Sequence, residues 1–304
     1  MIQGQPLIYG EVLFDTFQDG VSILGGAPFN AAWHLRGFEL DPLFVSRVGN
    51  DEAGKKVFQA MEYWGMDTRG VQVDSVYPTG SVNVSLQHGQ PSFAIKTQQA
   101  YDFIDLNEVI SAVGQSKVSL VYHGTLIGRT HSSFVTLQGL INAVYAPVFM
   151  DVNLRNGRWN LQNVTQLMGT ASWIKLNQEE LVKVEGFGNL ETVVEQKAAQ
   201  KVRDRYGLDF LLVTRGAEGA FLINEKETFF ATPSQVTELV DTVGAGDAFT
   251  SVVILGLCQG WALPLTLHRA AEFASSVCCI RGAITSDRKL YERYLTQWEE
   301  TNNE

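Results

Sequence analysis

Cysteine is scarce: 304 residues contain three, Cys258, Cys278 and Cys279. Two are adjacent and all lie in apolar text, so the spacing supports neither a disulfide framework nor a zinc cluster. They read as small buried hydrophobes of a reducing compartment. Long apolar runs are missing too, and the opening MIQGQPLIYGEVLFD lacks a basic n-region. Neither a membrane span nor a secretory leader is expected, and the expected location is the cytoplasm. Positive charge is in deficit, with 23 Lys and Arg against 33 Asp and Glu and a formal net charge of −10. That disfavours nonspecific binding to nucleic acid or an anionic membrane, although backbone N–H groups can still hold a small anion. No internal repeat, coiled coil, low-complexity tract or interdomain linker is present.

What is there is enough apolar residue, 45% of the chain, for one α/β core. A first strand is expected over Pro6–Phe14, ending at Asp15, with a turn at Gln18-Asp19-Gly20 and a return strand before Gly25-Gly26. A helix follows over 27–36, a strand over 43–49, and over 51–65 a helix with an acidic start, an apolar face and a glycine stop. The strand-helix rhythm resumes with strands at 119–124, 146–153, 172–177 and 210–216, and a late hairpin over 218–232. Between the two stretches, SVNVSLQ (81–87) alternates Val82, Val84 and Leu86 against Asn83, Ser85 and Gln87. With the turn HGQP (88–91) and SFAIK (92–96), it reads as a half-buried hairpin. The strands near 20–24 and 71–74 are expected to complete a small sheet, a lid formed by about 15–25 and 68–100. Its apolar face meets either the main body or another subunit, so a homodimer through the lid is expected as one alternative.

The chemistry concentrates in DTVGAGDAF (241–249). Gly244 and Gly246 open an apolar helix, and its first-turn N–H groups suit a phosphate. No Lys-Ser or Lys-Thr follows, as a P-loop needs, and Phe249 stands where the dinucleotide fingerprint needs a small residue. Asp247 is therefore either a capping residue or a carboxylate that accepts the proton of a hydroxyl attacking the bound phosphate. The helix terminus is expected to favour its charged form and make it a modest base.

GGAPFNAAWHL (25–35) and DTVGAGDAF, more than two hundred residues apart, together resemble the signatures of the PfkB family of ribokinase-like sugar kinases, most closely its fructokinases. The resemblance covers residues 6–285 and implies one α/β domain over 1–304. Its expected architecture is a ribokinase-like three-layer sandwich with a mostly parallel central sheet and a small β-sheet lid. It implies Asp247 as catalytic base and Gly244, Ala245 and Gly246 as the anion hole. Asp15, Gly25, Gly26 and Asn30 become sugar-binding positions, joined by Asn83 on the lid, Tyr101 and Phe103 of AYDFI, and Asn153. Phe103 serves either as a cover for the sugar or as hinge packing. Arg155 of DVNLR neutralises phosphate charge or meets an anionic substrate group.

In KLNQEE (175–180), Asn177 and Glu180 resemble the family's N-x-x-E motif. Three-residue spacing would place both on one helix face, with Glu180 acting on Mg²⁺ through water. Thr214, Gly216, Gly219 and Ser275 complete the expected ATP side. A monovalent-cation site near Asp241 is a further expectation. The implied activity is ATP- and Mg²⁺-dependent phosphorylation of D-fructose, with 2-keto-3-deoxygluconate, then ribose or a nucleoside, as alternatives.

Overall fold

The computed structural model describes residues 2–87, 90–155, 159–185, 192–236 and 238–302, and the side chains of all these except 84–87, 90–93, 192–194 and 301–302. In chain order the strands are β1 (Gln5–Tyr9), β2 (Leu13–Phe17), β3 (Ser22–Gly25), β4 (Leu43–Gly49), β5 (Val71–Asp74), β6 (Gly80–Gln87) and β7 (Gln90–Ile95). They continue with β8 (Val118–His123), β9 (Val148–Asp151), β10 (Trp173–Asn177), β11 (Phe210–Thr214), β12 (Ala220–Asn224) and β13 (Thr228–Ala231).

Among the described residues nine strands form one sheet in the order β13-β12-β11-β10-β9-β8-β1-β4-β5, and four form a second in the order β3-β2-β6-β7. The large sheet is parallel from β11 to β5, with β12 and β13 added antiparallel. Alternation along β1 sends Ile8 to one face and Leu7 and Tyr9 to the other. On the first face Ile8 and Tyr122 meet Phe29, Val252, Leu267 and Tyr291 of the helices Ala27–Gly37, Ala245–Gln259, Leu263–Val277 and Arg288–Asn302. On the second, Leu7 and Tyr9 meet Val109, Leu137 and Leu167 of Leu106–Val113, His131–Val144 and Leu161–Met168. The result is the expected three-layer sandwich with a small sheet beside it.

The helix Glu52–Trp64 shows why local sequence sufficed there. The Asp51 side chain accepts from Gly54 N at its start, Val57, Met61 and Trp64 are buried, and Gly65 ends it in the left-handed region at φ 76°.

Three expectations need correction. The strand foreseen over Pro6–Phe14 is two strands in different sheets. The chain leaves the large sheet at Gly10, where a side chain would run into Pro28 Cγ at 2.3 Å, and enters the small sheet at Leu13. A continuous apolar run looks the same in both sheets, so the sequence pattern hid the break. Residues 71–74 belong to the body, because β5 pairs in parallel with β4 at the edge of the large sheet. The third concerns Asn83. In the register, Asp15 pairs with Val82 and Thr16 with Asn83. Val82 packs with Leu13, Ile95 and Leu126 of the body, so Asp15 shares the body-facing side while exposed Asn83 faces away. The side chains of Val84 and Leu86, and the turn residues 88 and 89, lie outside the described residues.

Candidate active site

The carboxyl ends of the parallel strands, the place where open α/β sheets bind ligands, bring the two signatures together. Asn30 lies in the first turn of the helix Ala27–Gly37, and its Nδ2 donates to Asp247 Oδ2 at 2.7 Å. Asn30 Oδ1 is buried without a partner, leaving an acceptor free beside the carboxylate. A methyl placed on Gly25 would stand 3.7 Å from Asn30 Oδ1 and 3.9 Å from Asp15 Oδ2. Gly25 thus holds open a space bounded by the polar atoms of both residues. Gly26 has a different reason to be glycine: its φ is 115°, and a side chain would meet Glu11 O at 2.6 Å.

Asp247 occupies the first turn of the helix Ala245–Gln259, whose N-cap is Gly244 at φ 82°. Ala245 N–H reaches back to Thr242 O at 3.3 Å, while helix geometry leaves the next N–H groups pointing out of its end. Gly246 is exposed there, so an anion can approach. Gly244 is required for packing, because a side chain would collide with Ala283 at 2.4 Å.

The expected modest base is corrected. Asp247 is only partly exposed, and burial pushes its pKa up to about 6 against the lowering pull of the Asn30 hydrogen bond and of Arg155. Desolvation therefore outweighs the Asn30 hydrogen bond and the nearby Arg155 charge. Asp15 is raised by burial as well, and Arg155 again pulls it down. Exposed Arg155, on the loop after β9, thus belongs electrostatically to the site. In the same loop Asn153 is strained at φ 34°, and its carbonyl accepts from Thr125 Oγ1.

Two groups not singled out from the sequence stand in the same region. Glu11, in the connector between the sheets, is buried and pushed up to about 7, with Arg155, Asp247 and Arg129 among the charges it feels. Arg129 donates from Nε and Nη2 to the two oxygens of buried Asp102 at 2.7 and 2.6 Å and lies 4.9 Å over the Tyr101 ring. Buried Glu11 Oε2, Tyr101 Oη and Arg129 Nη1 lack protein partners. Asp102 sits in the quoted motif AYDFI, but GRTHSS around Arg129 follows no pattern that announces a partner 27 residues back. Phe103 is stacked on Tyr77 with centroids 3.8 Å apart.

On the nucleotide side, Asn177 ends β10 and Thr214 is its register partner at the end of β11. The N-x-x-E pair forms a capping box: Asn177 Oδ1 accepts from Glu180 N and Glu180 Oε2 from Asn177 N, both at 2.9 Å. Asn177 therefore precedes the helix Gln178–Glu185 and shares no helix face with Glu180. Glu180 Oε1 also accepts from Leu154 N at 2.7 Å, bracing the Arg155 loop. With both oxygens engaged, Glu180 suits Mg²⁺ held through water. Among the described residues no group of three or more His, Cys, Asp or Glu is arranged to hold a metal. A side chain at Gly216 would face open space, consistent with ligand approach, whereas one at Gly219 would strike Ala231 O at 2.1 Å. Gly219 therefore serves the turn into β12. Ser275 is buried and its hydroxyl donates to Ala271 O in its own helix. Asp241 Oδ1 accepts from Val243 N in a local turn, and its Oδ2 accepts from Gly282 N, 41 residues further along the chain.

A carboxylate at a helix N-terminus, an exposed glycine beside it and the polar atoms of Asp15 and Asn30 around the Gly25 space are the parts that a phosphotransferase acting on an alcohol needs. The chain belongs to the pfkB family of carbohydrate kinases, whose model matches residues 8–290, and it is an ATP-dependent sugar kinase of the ribokinase-like fold. It is 27% identical over 270 residues to a fructokinase of Klebsiella pneumoniae, covering 84% of this chain and 85% of that one. Among solved structures it resembles fructokinase from Vibrio cholerae O395 in its fructose, ADP and calcium ion bound form (24% identity, TM-score 0.81, 96% of this chain and 99% of that one). It also resembles an uncharacterized sugar kinase from Pyrococcus horikoshii in complex with ATP (25% identity, TM-score 0.75, 91% and 93%).

Proposed function

We propose that the sugar is uncharged and that D-fructose is the leading substrate. The observation that carries this reading is the charge around the Gly25 space. Asp15 borders it and Asp247 is tied to Asn30 beside it, while Arg129 is neutralised by Asp102, leaving exposed Arg155 at the rim. A substrate carboxylate, as in 2-keto-3-deoxygluconate, would add negative charge to an already acidic pocket. Hydroxyl groups suit it, since ionised Asp15 accepts them and Asn30 Oδ1 supplies another acceptor.

In the proposed reaction Asp15 and Asn30 hold the ring and turn one hydroxyl toward Asp247. Asp247 accepts its proton as the oxygen attacks the γ-phosphorus of ATP, and ADP departs. N–H groups at the start of the helix Ala245–Gln259 and Arg155 stabilise the transferring phosphoryl group. Waters on Glu180 would hold Mg²⁺, which neutralises phosphate charge when bound. A homodimer through the lid is part of this proposal: Phe17 at the end of β2 and Val21 in the turn to β3 are 37% and 49% exposed, apolar surface that a second copy would cover.

The test is a substrate panel of fructose, glucose, ribose and 2-keto-3-deoxygluconate with Mg-ATP, scored by kcat/KM and by the position of the new phosphate. Fructose should lead. A preference for the acid would overturn the reading.

A further inference from the structure

Behind the anion turn lies a buried ion pair between the first residues of KLNQEE and DVNLR, to which the motifs gave no role. Lys175 stands inside β10, in register with Asp151 at the end of β9. Its Nζ donates to Asp151 Oδ2 at 2.6 Å, and the two side chains are 8% and 1% exposed. Thr250 Oγ1, from the helix Ala245–Gln259, lies 3.1 Å from the same Asp151 oxygen and 2.9 Å from Gly246 O. Asp151 Oδ1 is buried without a partner. The nearest atom to a methyl placed on Gly246 is Lys175 Nζ, at 3.7 Å. The ammonium thus backs onto the backbone that the anion must approach.

Stability alone does not account for this pair. Desolvating two charges offsets their attraction, and an apolar residue facing a helix would pack at least as well. An ammonium carries three N–H groups, and Asp151 Oδ2 takes one. The exposed Arg155 can reach a phosphate from the cleft rim, whereas Lys175 approaches the same helix end from the sheet. A compact cation there adds to the attraction that the helix terminus already exerts on a phosphate, in surroundings where charge is weakly screened.

We propose that Lys175 is a second cation of the anion turn, acting on the terminal phosphate of the nucleotide from behind Gly246, with Asp151 as the positioning residue that aims it. The proposal rests on the kinase reading for the identity of that anion. It makes the two members of the pair opposite in sign: removing Lys175 takes positive charge from the phosphate, and removing Asp151 takes negative charge.

The experiment measures binding of ADP and of β,γ-imido-ATP by calorimetry, without divalent ions so that no metal enters the comparison. Lys175→Met should lower the ratio of analogue to ADP affinity about tenfold, and Asp151→Asn should raise it. A pair that only tied the strands together would shift both nucleotides equally, so an unchanged ratio, or a fall in both variants, overturns the proposal. If Lys175→Met fails to fold because Asp151 is left buried without a counter-ion, Lys175→Met with Asp151→Asn replaces it. Its ratio should still fall, since the charge nearer Gly246 is the one removed. Turnover by Lys175→Met, at saturating Mg-ATP and sugar, should drop about 100-fold with sugar KM within about threefold. Should the native chain phosphorylate no sugar, the kinase reading fails, and the binding ratio still decides the role of Lys175.

Discussion

Asn30 and Asp247, 217 residues apart in the chain, share a hydrogen bond of 2.7 Å in which the amide donates to the carboxylate. The helix Ala27–Gly37 is thereby tied to the carboxylate at the start of the helix Ala245–Gln259. The same bond lowers the pKa of a group that burial raises, so Asn30 tunes the Asp247 carboxylate as well as orienting it.

Asp247→Asn keeps the size and the Asn30 neighbour but cannot accept a proton. We expect normal folding, sugar affinity within about threefold, and kcat reduced by about 10²–10⁴. Turnover near the native rate would remove Asp247 from the role of base.

Asn30→Ala deletes a hydrogen bond to the charged form of Asp247 and should raise its pKa from about 6. Since the base works ionised, kcat/KM rises with pH through that value, and its acid limb should move upward by roughly one unit. An unmoved limb, measured between pH 5 and 8, would mean that another group controls the profile.

Gly25→Ala inserts a methyl between Asp15 and Asn30 without a clash in the free protein, since its nearest neighbours lie 3.7–4.0 Å away. Sugar KM should rise about tenfold, on the scale of one misplaced methyl group in a pocket. ATP KM and the melting temperature should change little. Equal damage to both substrates would show a distorted fold instead of a filled pocket.

Glu11→Gln tests the buried carboxyl. Its folded pKa of about 7 exceeds the ordinary 4.5, so the folded chain holds a proton that the unfolded chain releases. Below 4.5 the ionisation makes no difference; between 4.5 and 7 the native protein loses stability, and above 7 the loss is complete. The Gln variant should gain up to about 3 kcal/mol on the native protein across that window. Urea unfolding from pH 4.5 to 8 measures it, and a difference independent of pH would contradict a neutral buried Glu11.

Sequence legibility followed the range of the forces involved. Asp51 and Gly65 bracket their helix because capping is local, and GAGD announces an anion turn because its glycines are adjacent in the chain. Alternation along SVNVSLQ put Val82 and Asn83 on opposite faces, one buried and one exposed, but nothing in it says which face meets the body. The Asp102–Arg129 and Asp151–Lys175 pairs join residues that only the fold brings together. The helix terminus at Asp247 was visible in the sequence, whereas the burial that raises its pKa was not.

The division of one expected strand into β1 and β2 puts Asp15 on the small sheet, while Asn30 and Asp247 stay with the large body. A sugar gripped by both halves therefore acts as a clasp: its affinity includes whatever work is needed to bring the two sheets together. A tether that held them closed would strengthen retention of sugar and slow its escape after phosphorylation, without altering a single atom that touches the ring.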